Sequence, residues 1–138
     1  MRLSYDPLYV RHLHYSLCQN REPACVLERL LQHDPSEICI SSITMAELEF
    51  GVYRSSKPEK NRMALMMFLS NIAVLTFDSD AAFEYGDIRQ KLKTAGIIIG
   101  ANDMLIAAHA RSRNLTLVTH NTREFNRVER LKVEDWVI

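Results

Sequence analysis

Gly100-Ala101-Asn102-Asp103-Met104-Leu105-Ile106-Ala107-Ala108-His109 is the stretch on which the fold and the chemistry of this chain turn. Three isoleucines, Ile97, Ile98 and Ile99, run into the glycine, and a carboxylate then opens a small-residue apolar helix. Asp103 is the one acid between Asp87 and Glu124. Two readings fit it. As a helix start, Asn102 caps and Asp103 sits in the first turn, where the macrodipole favours an anion. As a site residue, Asp103 is a metal-ligating carboxylate held rigidly on a helix N-terminus. The two roles are compatible.

Apolar runs followed by helical patterns recur on either side. Upstream, Pro23 at a first helical position begins an amphipathic helix through Leu31. Ile38 to Ile43 reads as a buried strand that passes directly into Thr44-Met45-Ala46-Glu47. Thr44 with Glu47 three residues on has the form of a capping box. A helix from about Pro58 carries Met63, Met66, Met67 and Phe68, a composition read as core-facing. Ile72 to Phe77 reads as a second core strand. Ser79 then caps a helix with Ala81, Tyr85, Ile88 and Leu92 on one face, closed by Gly96. Downstream, Asn114 to Thr119 is a strand leading into His120-Asn121-Thr122, and Leu131 to Trp136 is a last extended segment. Strands alternating with helices imply βαβ units and a parallel sheet covered on both faces.

Composition bounds the function. With 138 residues, 47% of them hydrophobic and 25% charged, the chain is expected to form one soluble domain over residues 1–138. No apolar run approaches the ~20 residues that span a bilayer, and the start has no signal-peptide pattern, so a cytoplasmic location is expected. Cys18, Cys25 and Cys39 are odd in number and form no CxxC pair, which fits free thiols in a reducing compartment. The formal net charge is zero, so charge alone makes no case for nucleic acid. Local basic clusters (Arg54, Lys57, Lys60 and Arg62; Arg89, Lys91 and Lys93; Arg111 and Arg113; Arg123, Arg127 and Arg130) read as solvated faces that permit phosphate contacts.

Parallel α/β sheets bind ligands beyond the carboxyl ends of their strands. Glu47, Asp103 and Asn121 all arrive there. Carboxylates with an amide, and no compelling Cys or His nucleophile, suit a hard cation such as Mg²⁺ or Mn²⁺, which can activate water and stabilise the charge developed in phosphodiester cleavage. No Gly-rich phosphate loop, GxSxG elbow or GxGxxG fingerprint is present. His109 and His120 are read as packing or phosphate-contact residues ahead of acid–base groups, and His12-x-His14 lacks a third ligand nearby.

Ser41 to Gly51, Ile99 to Ala110, Leu117 to Phe125 and the closing Leu131 to Trp136, in that order, resemble the PIN-domain ribonuclease toxins of the VapC family, over roughly residues 23–138. The likeness is greatest to the enteric branch that cuts initiator tRNA in the anticodon loop. The resemblance implies a three-layer α/β/α fold, Mg²⁺- or Mn²⁺-dependent endoribonuclease activity, a homodimer, and a VapB-type antitoxin as partner. It implies Glu47 and Asp103 as metal-site acids and Asn121 in place of a fourth acid. One motif is not matched. The family's first strand is hydrophobic and ends in Asp-Thr-Asn; measured back from Pro23 that Asp falls near Arg11, where the chain reads Val10-Arg11-His12-Leu13-His14. Residues 1–22 are then either an altered or frame-shifted start that leaves an impaired nuclease, or a start in which Asp6 is recruited as the missing ligand. A non-catalytic PIN-like module that binds its antitoxin and supports repression of its own promoter is the alternative function.

Overall fold

A computed structural model describes residues 11–13 (backbone only), 38–70, 72–119 and 121–135. Their elements alternate as the apolar runs predict. β1 (Arg11–Leu13) and β2 (Ile38–Ser41) precede α1 (Ser42–Arg54) and α2 (Pro58–Leu69). β3 (Ala73–Leu75), α3 (Ser79–Ala95), α4 (Ala101–Ser112), β4 (Thr116–Val118), α5 (Thr122–Phe125) and β5 (Lys132–Glu134) follow. The helix expected from Pro23, the residues flanking β1 and the chain end at Trp136 lie outside the described residues.

All pairings are parallel, in the order β3-β2-β1-β4-β5. β1 is the middle strand: Arg11 aligns with Ile38 on one side and with Thr116 on the other. A polar Arg-His-Leu segment thus holds the middle position among the described strands.

Side-chain alternation along the strands sorts the core into layers. Ile38 and Ile40 of β2 pack with Val118, Leu48 and Val52 of α1, and Leu65 and Phe68 of α2. On the opposite face, Leu117 joins Ile88 and Leu92 of α3, Met104, Ile106, Ala107, Ala108 and Ala110 of α4, and Phe125. Cys39 and Leu115 point away from the α1–α2 layer and pack with Ala73 and Leu75. Helices on both faces of a parallel sheet make the three-layer α/β/α architecture.

Three local readings change. β3 is an edge strand with Val74 exposed, not a core strand, because nothing among the described residues pairs beyond it. Met63, Met66 and Met67 on α2 are 58–61% exposed; Leu65 and Phe68 of that helix are buried in the core and Leu69 packs against it. Asp78, not Ser79, caps α3, its side chain accepting the Ala81 N–H at 3.1 Å. Gly96 closes α3 at φ 71°, the left-handed conformation for which glycine is suited, and its N–H returns to Leu92 and Lys93.

Candidate active site

The strand order places a topological switch at the middle of the sheet. From β1 the chain moves to one side, to β2 and β3, and then returns to the other side at β4 and β5. At such a point the connections leave the carboxyl ends in opposite directions and open a crevice between them. Of the residues singled out from sequence, Glu47 lies on the helix that follows β2 and Asn121 lies just past β4, whereas Asp103 opens α4, the helix that follows α3 and leads into β4.

Glu47 lies in the second turn of α1, the helix that leaves β2. Its expected capping role is overturned. Ser41 caps α1, with extended backbone and its Oγ accepting the Ile43 N–H at 3.0 Å, so the helix starts one turn earlier than Thr44. Thr44 is then buried at the third helical position and no capping box forms. Ser41 wins because it sits where β2 ends and its hydroxyl has a second use, described below. Freed of the capping role, Glu47 is half-buried on the second turn.

Asp103 occupies the first turn of α4, as expected, but Asn102 does not cap. Gly100 is the cap residue and supplies no side chain. The Asp103 carboxylate folds back over it, with Oδ2 3.4 Å from where a Cβ on residue 100 would lie. A carboxylate over the free N–H groups of a first turn is held by the helix dipole and keeps a fixed direction.

Asn121 lies three residues past the end of β4 and occupies the cap position of α5 without a side-chain cap bond. Its backbone is anchored: the Asn121 N–H donates to Thr119 Oγ1 at 3.0 Å, and the Thr119 N–H donates to the Glu134 carbonyl at 2.9 Å. β4 and β5 thus fix where Asn121 leaves the sheet.

Asp6 and His120 lie outside the described residues. No acid occurs between Asp6 and Glu22, so β1 contributes no carboxylate of its own. Among the described residues, no three His, Cys, Asp or Glu side chains group closely enough to hold a metal ion. The donor chemistry of Glu47, Asp103 and Asn121, two carboxylates and an amide oxygen, nevertheless fits a hard divalent cation that keeps several waters.

A buried junction ties two of these segments together. His109 Nδ1 lies 2.7 Å from Ser41 Oγ, and both residues are fully buried. The imidazole edge meets the Phe77 ring at 5.6 Å, and the Phe77 N–H donates to Ser42 Oγ at 3.1 Å. Burial holds the His109 pKa below its ordinary value, with Arg113 pushing the same way and Asp78 opposing. His109 is therefore a neutral packing residue, and sequence patterning carried no signal for its partner 68 positions away. Cys39 is equally inert as a nucleophile, its thiol pushed up to about 12 by burial.

Arg111 departs furthest from its expected solvated face. Its side chain is 4% exposed and bonds Asp87 at 2.6 Å, Glu84 at 3.0 Å and the Glu129 carbonyl at 3.1 Å. It clamps α3 to α4 and leaves the basic surface to residues such as Arg54, Lys57, Lys60, Arg89 and Arg123. No helix among the described residues is long and apolar enough to cross a membrane.

Comparison with known proteins agrees with this geometry. The PIN domain family model matches residues 13–131. A protein named ribonuclease VapC2 from Rickettsia felis is 48% identical over 99 residues, covering 72% of this chain and 74% of its own length. One named tRNA(fMet)-specific endonuclease VapC, from Shigella flexneri, is 46% identical over 115 residues, covering 83% of this chain and 86% of its own. Among solved structures, DNA-bound VapBC from Salmonella typhimurium superposes with a TM-score of 0.80 at 37% identity, covering 92% of this chain and 98% of that one. A family model that matches most of the chain, relatives 46–48% identical and a superposed VapBC structure agree, and the chain belongs to the PIN domain family, among the VapC ribonucleases.

Proposed function

We propose that the protein is a divalent-metal-dependent endoribonuclease toxin that cleaves initiator tRNA in the cytoplasm, acts as a single domain and homodimer, and is neutralised by a VapB-type antitoxin. The reading is supported by the places of Glu47 on the helix that follows β2, of Asn121 just past β4, and of Asp103 in the first turn of α4, the helix that leads into β4. The named activity of the Shigella relative supports the tRNA substrate, and the VapBC structures support the antitoxin. Exposed Phe50, Tyr53, Met63, Met66 and Met67 on α1 and α2 form an apolar face of the kind that a protein partner covers.

Glu47 and Asp103 would hold the cation, with Asn121 as a neutral oxygen donor. When bound, Mg²⁺ or Mn²⁺ supplies charge neutralisation at the scissile phosphate. The protein's own part is to fix the two carboxylates on rigid helices and to orient the substrate. The α4 first turn fixes the direction of the Asp103 carboxylate, and exposed Arg54, Lys57 and Lys60 can meet RNA phosphates.

The test is cleavage of initiator tRNA by the purified chain with Mg²⁺ or Mn²⁺, followed by gel. Asp103→Asn is expected to reduce cleavage by at least ~100-fold while leaving the fold intact, as for loss of a group that stabilises the transition state. Equal cleavage in EDTA, or by the variant, would refute the metal role.

One observation favours a second reading, a non-catalytic module that binds its antitoxin and supports repression of its own promoter. The middle strand carries Arg11-His12-Leu13 near where the resemblance implies an acid, and Asp6 is the nearest upstream Asp. Antitoxin binding without any tRNA cleavage would select this reading, and loss of cleavage in Asp6→Ala would select recruitment of Asp6.

A further inference from the structure

We propose that Ser41 and His109 are positioning residues, whose buried hydrogen bond sets the spacing between the helix that carries Glu47 and the helix that carries Asp103. The inference rests on the reading of those two acids as metal ligands. Its basis is the placement of the bond relative to both. Glu47 lies six residues after Ser41 along α1, and Asp103 lies six residues before His109 along α4. At 1.5 Å rise per residue each acid stands about 9 Å along its helix from the bonded pair. The bond is thus a buried polar link between the two carboxylate carriers.

Three features make the link directional. Ser41 Oγ accepts the Ile43 N–H, so the hydroxyl that meets His109 also fixes the start of α1. The imidazole is held on a second side by the Phe77 ring, itself tied through its backbone to Ser42. Both partners are fully buried, so water cannot replace either. Apolar packing of similar volume would fill the same space but would let α4 slide or rotate against β2, whereas a short, buried hydrogen bond admits one arrangement. Two carboxylates sharing a cation tolerate little error in separation, and groups that orient ligands from behind change metal affinity strongly.

The experiment is calorimetric titration of Mn²⁺ into the full chain, well below its unfolding temperature, with circular dichroism confirming the fold. His109→Phe, which keeps the ring volume and removes Nδ1, is expected to weaken Mn²⁺ binding by about 10- to 100-fold in a folded protein. His109→Asn, whose amide can reach the Nδ1 position, is expected to return affinity to within roughly threefold of the parent. A folded His109→Phe protein with parental affinity overturns the proposal, as does a folded His109→Asn protein as weak as His109→Phe. Should His109→Phe fail to fold, Ser41→Ala and Ser41→Thr decide the matter. Weak binding in the first with near-parental binding in the second supports the link, and equal affinities overturn it. Asp103→Asn, run in parallel, separates the two layers of argument. If it leaves Mn²⁺ affinity unchanged the metal reading fails and this proposal with it. If it abolishes binding while the His109 variants do not, only the positioning role falls.

Discussion

Two buried polar junctions lie two residues apart on α4, and they hold the helix in opposite ways. His109 makes a neutral hydrogen bond to Ser41, at the end of β2 where α1 begins. Arg111 makes a charged cluster with Glu84 and Asp87 of α3 and with the Glu129 carbonyl. Residues two apart on a helix point to different sides, so one contact faces the sheet and the other faces the neighbouring helix. The neutral junction connects α4 to an element that carries a candidate metal ligand. The charged one connects it to α3, which carries none. Stability and site geometry are therefore divided between adjacent positions of one helix.

The sharpest way to break this division is Arg111→Ala. Removing a guanidinium that is 4% exposed leaves Glu84 and Asp87 facing each other without their counter-charge. Because both acids keep partial access to water, and Lys91 and Arg130 also approach Asp87, the loss is expected near the low end for a broken buried pair, about 3 kcal/mol. Denaturant unfolding measures it. Mn²⁺ affinity of the folded fraction should be unchanged; a parallel loss of affinity would show that α3 also sets the site.

Neither junction was legible in the sequence, although much around them was. The parallel sheet, the element order and the placement of Asp103 and Asn121 follow from apolar runs alternating with helical patterns, because burial on both faces of a sheet writes itself into local composition. Long-range polar partners leave no such trace. Arg111 looks like part of an Arg111-Ser112-Arg113 surface cluster, and only the packing of α3 brings Asp87 and Glu84 to it. The cap of α1 failed for a related reason. Ser41, Ser42 and Thr44 are all competent hydroxyls, and the Thr44–Glu47 spacing favours the wrong one. What selects Ser41 is the strand end beneath it and His109 beside it. The exposed methionines of α2 show the converse: helical spacing of apolar residues identifies a face but not whether this chain or a partner covers it.

A smaller effect sharpens the neutral side. Ser41→Ala removes an N-cap acceptor and leaves the buried Nδ1 of His109 without its hydroxyl. The two losses together are expected to cost about 2 kcal/mol, measured by denaturant unfolding. Ser41→Thr keeps the hydroxyl and should recover most of it. If Ser41→Ala costs only what a surface cap costs, about 1 kcal/mol or less, the His109 bond contributes little to stability and its value lies in geometry alone.

The smallest effect separates the junctions by pH. The His109 pKa in the folded protein is below that of the unfolded chain, because of burial and Arg113, with Asp78 opposing. Between the unfolded value near 6.5 and the lower folded value, the unfolded chain binds a proton that the folded protein refuses. Stability is then full above about pH 6.5 and falls on acidification below it, by at most about 1.4 kcal/mol per pH unit. Asp87 is also held below its ordinary value, first by its hydrogen bond from Arg111 and then by Lys91. Its contribution is present above the unfolded carboxylate pKa near 3.9 and is lost as pH falls through the lower folded value. Acid should therefore load the neutral junction first and the charged one only below about pH 4. Unfolding free energies measured from pH 7.5 to 3 check this. His109→Phe should flatten the upper slope and leave the lower, while Arg111→Ala should reduce the lower and leave the upper. A single slope affected equally by both variants would mean that the two junctions titrate as one network across α4.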